Sequence, residues 1–334
     1  MKKVVLIIPY FGEFPNYFDL FLKSCSYNQD IDWLFVTDNE LNTSFPNIHT
    51  LHWTFEQLTE HISQTLQVTD PIPAPYKLCD YRPAYGEIFS EYIKGYDFWG
   101  HCDLDLIYGD VSKYIREAPL EDYDRVFTFG HLTLYKNNNQ VNRYYQLKGE
   151  KDTDFYYCIR FPEPMYFDEG GMNRLLDDHG IAQYEYPDFA DIWPQKASFK
   201  NRIFRNDKNY KNQFFIWQEG KVFKVWQEKE ETKRREYSYI HLQKRSFPQP
   251  GPEIMNQDTY IITPHGFYSL QDPHLVDKLK PDYSHAYTYY KKRYTNVTPK
   301  KVKRKIQLFL LNYTQRSKDR GKGKWMDGNQ KTIS

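Results

Sequence analysis

Several features that assign a protein at a glance are missing from this chain of 334 residues. Its four cysteines, Cys25, Cys79, Cys102 and Cys158, include no Cys-x-x-Cys pair. That argues against a disulfide framework or a zinc site, and a reducing, cytoplasmic compartment is the simpler expectation. No stretch approaches the ~20 apolar residues of a membrane span. The five apolar residues Val4 to Ile8, closed by Pro9, are too few for a signal-peptide core. No Gly-x-Gly-x-x-Gly follows that run, no Gly-x-x-x-x-Gly-Lys-Ser/Thr occurs, and no Gly-x-Ser-x-Gly occurs. A dinucleotide site, a P-loop and a hydrolase nucleophile elbow are therefore not indicated. There is no repeat at solenoid spacing.

What is abundant is aromatic side chain: 18% of the residues, led by thirty tyrosines. Tyrosine joins an apolar face to a polar tip, which suits a surface that handles sugars and equally suits an ordinary core. Charge is nearly balanced at +1 but unevenly placed. Lys291 to Lys324 holds thirteen Lys or Arg against the single acid Asp319, a window of +12 that leaves −11 for the rest. An acidic globule with a basic tail points to an anionic membrane surface, nucleic acid or another acidic polymer as partner. The length fits one large α/β domain, or one domain with an appendage.

Periodicity supports the α/β expectation. Val4–Pro9 and Trp33–Val36 read as buried strands, Ile48–Trp53 as a shorter one, and Tyr17–Cys25 as a helix. Thr54, with Gln57 three residues on, predicts a capped helix to about Leu66. A helix is predicted over Pro83–Lys94, a short one over Asp110–Arg116, and a strand over Arg125–Phe129. The alternation of strand and helix implies a mainly parallel sheet flanked by helices. Residues 137–205 are aromatic and loop-rich, with a predicted helix over Met172–Asp178. From Gln213 the pattern turns to β, with a hairpin turn at Gln218-Glu219-Gly220 and a short strand over Tyr237–Leu242.

The chemistry-bearing stretch is Phe98-Trp99-Gly100-His101-Cys102-Asp103-Leu104-Asp105, an apolar strand that runs into two aspartates one residue apart. Side chains at i and i+2 of a strand share a face. Two convergent carboxylates suit a hard divalent cation whose remaining ligands are phosphate oxygens and water. Downstream, Tyr239-Ile240-His241-Leu242-Gln243-Lys244-Arg245 adds an imidazole that could complete a Mn²⁺ or Mg²⁺ site. Its Lys244 and Arg245 could neutralise phosphate charge.

Taken in order, five pieces resemble the GT-A-type glycosyltransferase-like proteins of bacterial capsule, exopolysaccharide and lipopolysaccharide gene clusters. They are Ile8-Pro9-Tyr10-Phe11-Gly12, Thr37-Asp38, Lys77-x-x-Asp80-x-x-Pro83, the Phe98 to Asp105 stretch and His241-x-Gln243-Lys244-Arg245. The resemblance covers residues 1–130 and the patch around His241. It implies a GT-A-like, Rossmann-like sheet and a metal-dependent hexosyltransferase that takes a nucleotide-diphosphate sugar, UDP-linked. The implied acceptor is an oligosaccharide or a lipid-linked saccharide. Carried over by position, Pro9, Tyr10, Phe11 and Gly12 pass under the nucleotide, and Asp38 contacts base or ribose (its ordinary alternative is a turn cap). Lys77 and Asp80 lie near the nucleotide-sugar, with a helix-end ion pair as the ordinary alternative. Asp103 touches ribose and metal, Asp105 and His241 hold the metal, and Lys244 and Arg245 meet the diphosphate.

An inverting transferase also needs a carboxylate base. Asp168 and Glu169, ahead of Gly170-Gly171, are the leading candidates, with Asp188 and Asp191 as alternates. An acidic helix start favoured by the dipole is an equal reading for either pair. The expected layout is a catalytic domain over 1–290, with a nucleotide-sugar half (1–130) and a smaller β and aromatic acceptor half (131–290), then a basic amphipathic helix and tail over 291–334. Val302, Ile306, Phe309, Leu310 and Tyr313 recur at helical spacing beside basic residues, which would let residues 291–324 lie on the inner face of the cell membrane or dock on the domain. Two rival functions stay in view: a non-catalytic carbohydrate-binding or scaffold protein, and, ranked last, a nucleic-acid binder, since no nucleic-acid motif occurs.

Overall fold

Alternate residues of the first apolar run bury on opposite sides of one sheet. Val5 and Ile7 face one core, while Val4, Leu6 and Ile8 face the other. A strand covered on both faces has no polar side, so it reads as an unbroken apolar run. The structure, a computed structural model, describes residues 2–185, 188–202, 207–211, 213–243 and 245–295.

The strands in chain order are β1 (Val4–Pro9), β2 (Ile31–Thr37), β3 (Ile48–His52), β4 (Phe98–Cys102), β5 (Leu106–Tyr108), β6 (Arg125–Phe129), β7 (Leu132–Lys136) and β8 (Gln183–Tyr184), followed by β9 (Ala190–Asp191), β10 (Phe214–Gln218), β11 (Lys221–Glu228), β12 (Glu231–Tyr237), β13 (Tyr239–His241), β14 (Thr259–Thr263) and β15 (Gly266–Tyr268). The architecture is mixed α/β. The large sheet has the order β3-β2-β1-β4-β7-β6-β8. Strands β3, β2, β1 and β4 run parallel, and β7 is antiparallel to both β4 and β6. A five-stranded antiparallel sheet (β12-β11-β10-β14-β15) and a three-stranded one (β5-β13-β9) complete the unit.

Helix α1 (Phe18–Ser26) covers the face that holds Trp33 and Phe35. Helix α2 (Phe55–Leu66) covers the other with Leu58, Ile62 and Leu66. It starts with the predicted capping box: Gln57 N donates to Thr54 Oγ1, and Thr54 N to Gln57 Oε1. The hairpin turn between β10 and β11 falls where expected, with positive φ at Glu219 and Gly220.

The helix expected over Pro83–Lys94 does not form. A 3₁₀ helix spans Pro75–Ala84, followed by a short α-helix over Tyr85–Ile88 and turns. Pro83 has no N–H to continue an α-helical ladder, and Gly86 serves close packing, since a Cβ there would run into the Trp99 ring. Residues 137–171 fold into short 3₁₀, α and π turns packed on this segment.

The chain divides into two compact units, Met1–Asp282 and Tyr283–Ser334. The second is described only through the helix Tyr283–Thr295. Most of the expected basic helix, with Val302, Ile306, Phe309, Leu310 and Tyr313, lies outside the described residues. Among the described residues no helix is long and apolar enough to cross a membrane.

Candidate metal and transfer site

A cleft of about 1030 Å³ opens where β1 and β4 end, bordered by Pro9, Tyr10, Phe11, Asp103, Asp105 and His241 among others. Open α/β sheets place ligands beyond the carboxyl ends of their strands. Asp103 and Asp105 lie past the end of β4, in the link to β5, so their convergence comes from the loop rather than from strand alternation. Two backbone bonds pin that loop: Asp103 N donates to His131 O (3.0 Å), and Leu242 N donates to Asp105 O (2.8 Å). The second bond, with the pairing of His241 to Leu106, brings β13 alongside. One donor atom from each of Asp103, Asp105 and His241 then lies within 4.8 Å of the others.

The electrostatics around His241 are unusual. Its Nε2 is 3.3 Å from Asp105 Oδ1, and its Nδ1 is 3.0 Å from Asp191 Oδ1. Burial alone would lower its pKa, but Asp105 and Asp191 together push it up to about 10. The ring packs on His131, centroids 4.3 Å apart. Burial, reinforced by the neighbouring His241, drops His131 to about 3. Asp191 is buried and fully engaged: besides His241 it accepts from Gln243 Nε2 and pairs with Arg202 Nη1 at 3.2 Å. Burial would raise its pKa, yet the hydrogen bond and charge of His241 hold it below the usual carboxylate value.

Across the cleft, Arg82 ties two acids together. Its Nη2 bonds Asp103 Oδ1, while Nη1 donates to Asp168 Oδ2 and to Gly130 O, both at 2.9 Å. Asp168 is 1% exposed, and its Oδ1 has no hydrogen-bond partner. Burial lifts this carboxyl to about 7 against the opposing charge of Arg82, with Glu169 and Asp103 adding to the rise. It sits in a π turn, Phe167–Gly171, a form that often marks functional sites. Glu169 also borders the cleft and packs close to Gly130, where a Cβ would collide with it. The register of β6 against β7 shifts between Val126 and Phe129, and Thr128, Phe129 and Gly130 border the cleft there.

The remaining candidates are placed as follows. Gly12 and Asp38 stand off the cleft lining; Asp38 is exposed, and Asn39 Nδ2 ties its loop to Gly12 O at 3.0 Å. Lys77 and Asp80 are 1% and 0% exposed and pair with each other at 2.7 Å, so neither borders the cleft. Asp188 is turned to Arg235 at 2.7 Å, away from the cleft lining. Arg245 does border the cleft: it is 2% exposed, donates from Nη2 to Trp193 O and Lys196 O, and leaves Nε and Nη1 without hydrogen-bond partners. Burial lowers it to about 10. Lys244 lies outside the described residues. Arg82 and Arg202, which pair with the site's carboxylates, and the neutral His131 packed on His241 are outside the sequence candidates.

No curated protein matches the sequence. A solved structure of the galactosyltransferase LgtC, in complex with donor and acceptor sugar analogues, is similar at 11% identity and a TM-score of 0.33, covering 56% of this chain and 75% of that one. The pattern of a family described as "Family of unknown function (DUF6625)" matches residues 6–271, and the chain therefore belongs to that family.

Proposed function

We propose that the protein is a GT-A-like, metal-dependent glycosyltransferase that takes a UDP-sugar as donor and extends a bacterial surface polysaccharide on the cytoplasmic face of the membrane. The observation that carries this reading is the convergence of Asp103, Asp105 and His241 on a large cleft at the carboxyl ends of parallel strands. Two carboxylates and an imidazole form a donor set suited to Mn²⁺ or Mg²⁺. Asp191 behind His241 completes the carboxylate–histidine arrangement that orients such a ligand. A divalent cation held there would supply Lewis-acid stabilisation to the departing diphosphate.

The chain's own groups account for the other tasks. Asp191 holds the His241 ring and, in this reading, acts by positioning rather than as a base. Arg245 offers Nε and Nη1 from a dry position, where a charge-assisted bond to a phosphate oxygen is strong. Arg82 fixes Asp103 for the ribose and the ion, and it fixes Asp168 facing the same space. Asp168 is the base: a carboxyl near 7 that borders the cleft, its buried Oδ1 without a hydrogen-bond partner, can accept the acceptor hydroxyl proton at neutral pH. Glu169 is its alternate.

The test is turnover of UDP-sugars by the purified chain with Mn²⁺. Transfer or slow hydrolysis is expected, and Asp105→Ala should abolish it while the protein stays folded by circular dichroism. Turnover that survives Asp105→Ala would remove the aspartate pair from the mechanism, and absence of both binding and hydrolysis with every common nucleotide-sugar would end the proposal.

A further inference from the structure

We infer that His131 offers its Nε2–H to a phosphate oxygen of the diphosphate in the cleft, and that Tyr239 fixes the tautomer that makes this possible. The diphosphate rests on the function proposed above; the setting of the ring does not. The turn between β6 and β7 is clamped to the site by two bonds. Arg82 Nη1 donates to Gly130 O at 2.9 Å, and Asp103 N donates to His131 O at 3.0 Å. The His131 ring is wedged among four others, with centroids at 4.3 Å for His241, 4.8 Å for Phe189, 5.6 Å for Tyr239 and 5.8 Å for Phe129. Close packing on this scale leaves an imidazole little room to turn. The residue is 9% exposed and borders the cleft.

The two ring nitrogens differ in their surroundings. Nδ1 lies 3.2 Å from the Tyr239 hydroxyl. Tyr239 is 2% exposed, and this is the one hydrogen bond its hydroxyl makes among the described residues. A buried hydroxyl whose proton finds no acceptor is costly, so the phenol donates and Nδ1 accepts. The proton of the imidazole then sits on Nε2. Among the described residues Nε2 has no hydrogen-bond partner, and it is not sealed from solvent. The open space that His131 borders is the cleft. The carboxylates nearest the ring are turned elsewhere: Asp105 and Asp191 face His241, and Asp103 faces Arg82. An acceptor for Nε2–H must therefore arrive with the ligand. The ring lies against His241, one of the three groups that converge for a cation. Oxygens that share a cation with His241 come close to its stacked neighbour. Non-bridging phosphate oxygens accept and do not donate, which matches an N–H, and their charge strengthens the bond.

The experiment compares the full-length wild type with His131→Phe and Tyr239→Phe by calorimetric titration with UDP and with pyrophosphate, each in the presence of Mn²⁺. Phenylalanine at 131 keeps a ring in the stack and removes the N–H. His131→Phe should weaken both ligands roughly tenfold to a hundredfold, the span for a hydrogen bond to a charged partner. The thermal shift given by Mn²⁺ alone should stay unchanged. Proton–nitrogen correlation spectra of the imidazoles should show His131 protonated on Nε2 in the wild type and a mixture of tautomers in Tyr239→Phe. Where His131→Phe loses its fold because the Tyr239 hydroxyl is orphaned, the double variant His131→Phe/Tyr239→Phe removes that orphan and carries the same expectation. Unchanged affinity for UDP and pyrophosphate overturns the inference and leaves the transferase. An equal loss of the Mn²⁺ shift overturns it too, because the ring would then act through His241, as does a neutral wild-type ring protonated on Nδ1. Failure of UDP with Mn²⁺ to bind the wild type removes the transferase, and the inference falls with it.

Discussion

Asp168 shows how burial sets a side chain's chemistry. Its carboxyl is raised from 3.8 to about 7, so the folded state holds a proton there that the unfolded chain has already lost. Between those values the folded protein binds more protons than the unfolded one, and this group's contribution makes stability fall as pH rises. Asp168→Asn should flatten that fall, as read from urea midpoints at pH 5 and pH 7. The same residue predicts that kcat/KM for transfer rises with pH to a plateau above a midpoint near 7, and that the midpoint vanishes with the activity in Asp168→Asn. Lys77 gives a second prediction at this scale. Replacing it with methionine leaves the Asp80 charge buried with only amide donors, and the loss should be about 3–5 kcal/mol. Urea unfolding with an unchanged slope would measure it; a loss under about 1 kcal/mol would mean that the pair is solvated.

At the scale of elements, Gly100 in β4 is held by close approach. A Cβ there would run into the Thr133 carbonyl of β7 and the Leu6 and Leu134 side chains. Because the obstacle includes backbone, Gly100→Ala should cost about 3 kcal/mol, the upper end for overpacking, seen as a lower thermal midpoint. Several elements were readable before any coordinates. Val4–Ile8 is apolar without alternation because both its faces are covered, and Thr54 with Gln57 marks the start of α2 by chemistry local to four residues. Other elements leave no such mark. Strand β12, Glu231–Tyr237, is mostly exposed and charged and lies at a sheet edge, so it has no apolar face to betray it. Arg82 escaped notice because its role depends on Asp103 and Asp168, 21 and 86 residues away. In Pro-Asp-Phe-Ala-Asp, Asp191 reads as an alternate base; only the pairing of β9 with β13 reveals that it faces His241.

For the whole molecule, the proposed ligand set couples the sheets. Asp103 and Asp105 follow the large sheet, whereas His241 is carried by β13 in the three-stranded one. Trp217 of the five-stranded sheet donates from Nε1 to Tyr108 O of β5 at 2.9 Å, tying that sheet to the three-stranded one. A cation bound only by the folded form should therefore stabilise the unit as one. Mn²⁺ at ~100 times its Kd should add about 2.7 kcal/mol, read as a single, sharper thermal transition, and His241→Ala should remove the gain. A shift that persists in that variant would place the ion elsewhere.

The distance along the chain between Asp105 and His241 has a consequence of its own. The loop closed by the β5–β13 pairing holds more than a hundred residues, and contacts of such separation form slowly. The constellation is thus among the later things the polypeptide assembles, after local hairpins and capped helices are in place. A backbone cut anywhere between 108 and 239 would divide the donor atoms between two fragments, neither able to grip an ion alone, and regained grip on mixing would report their reunion.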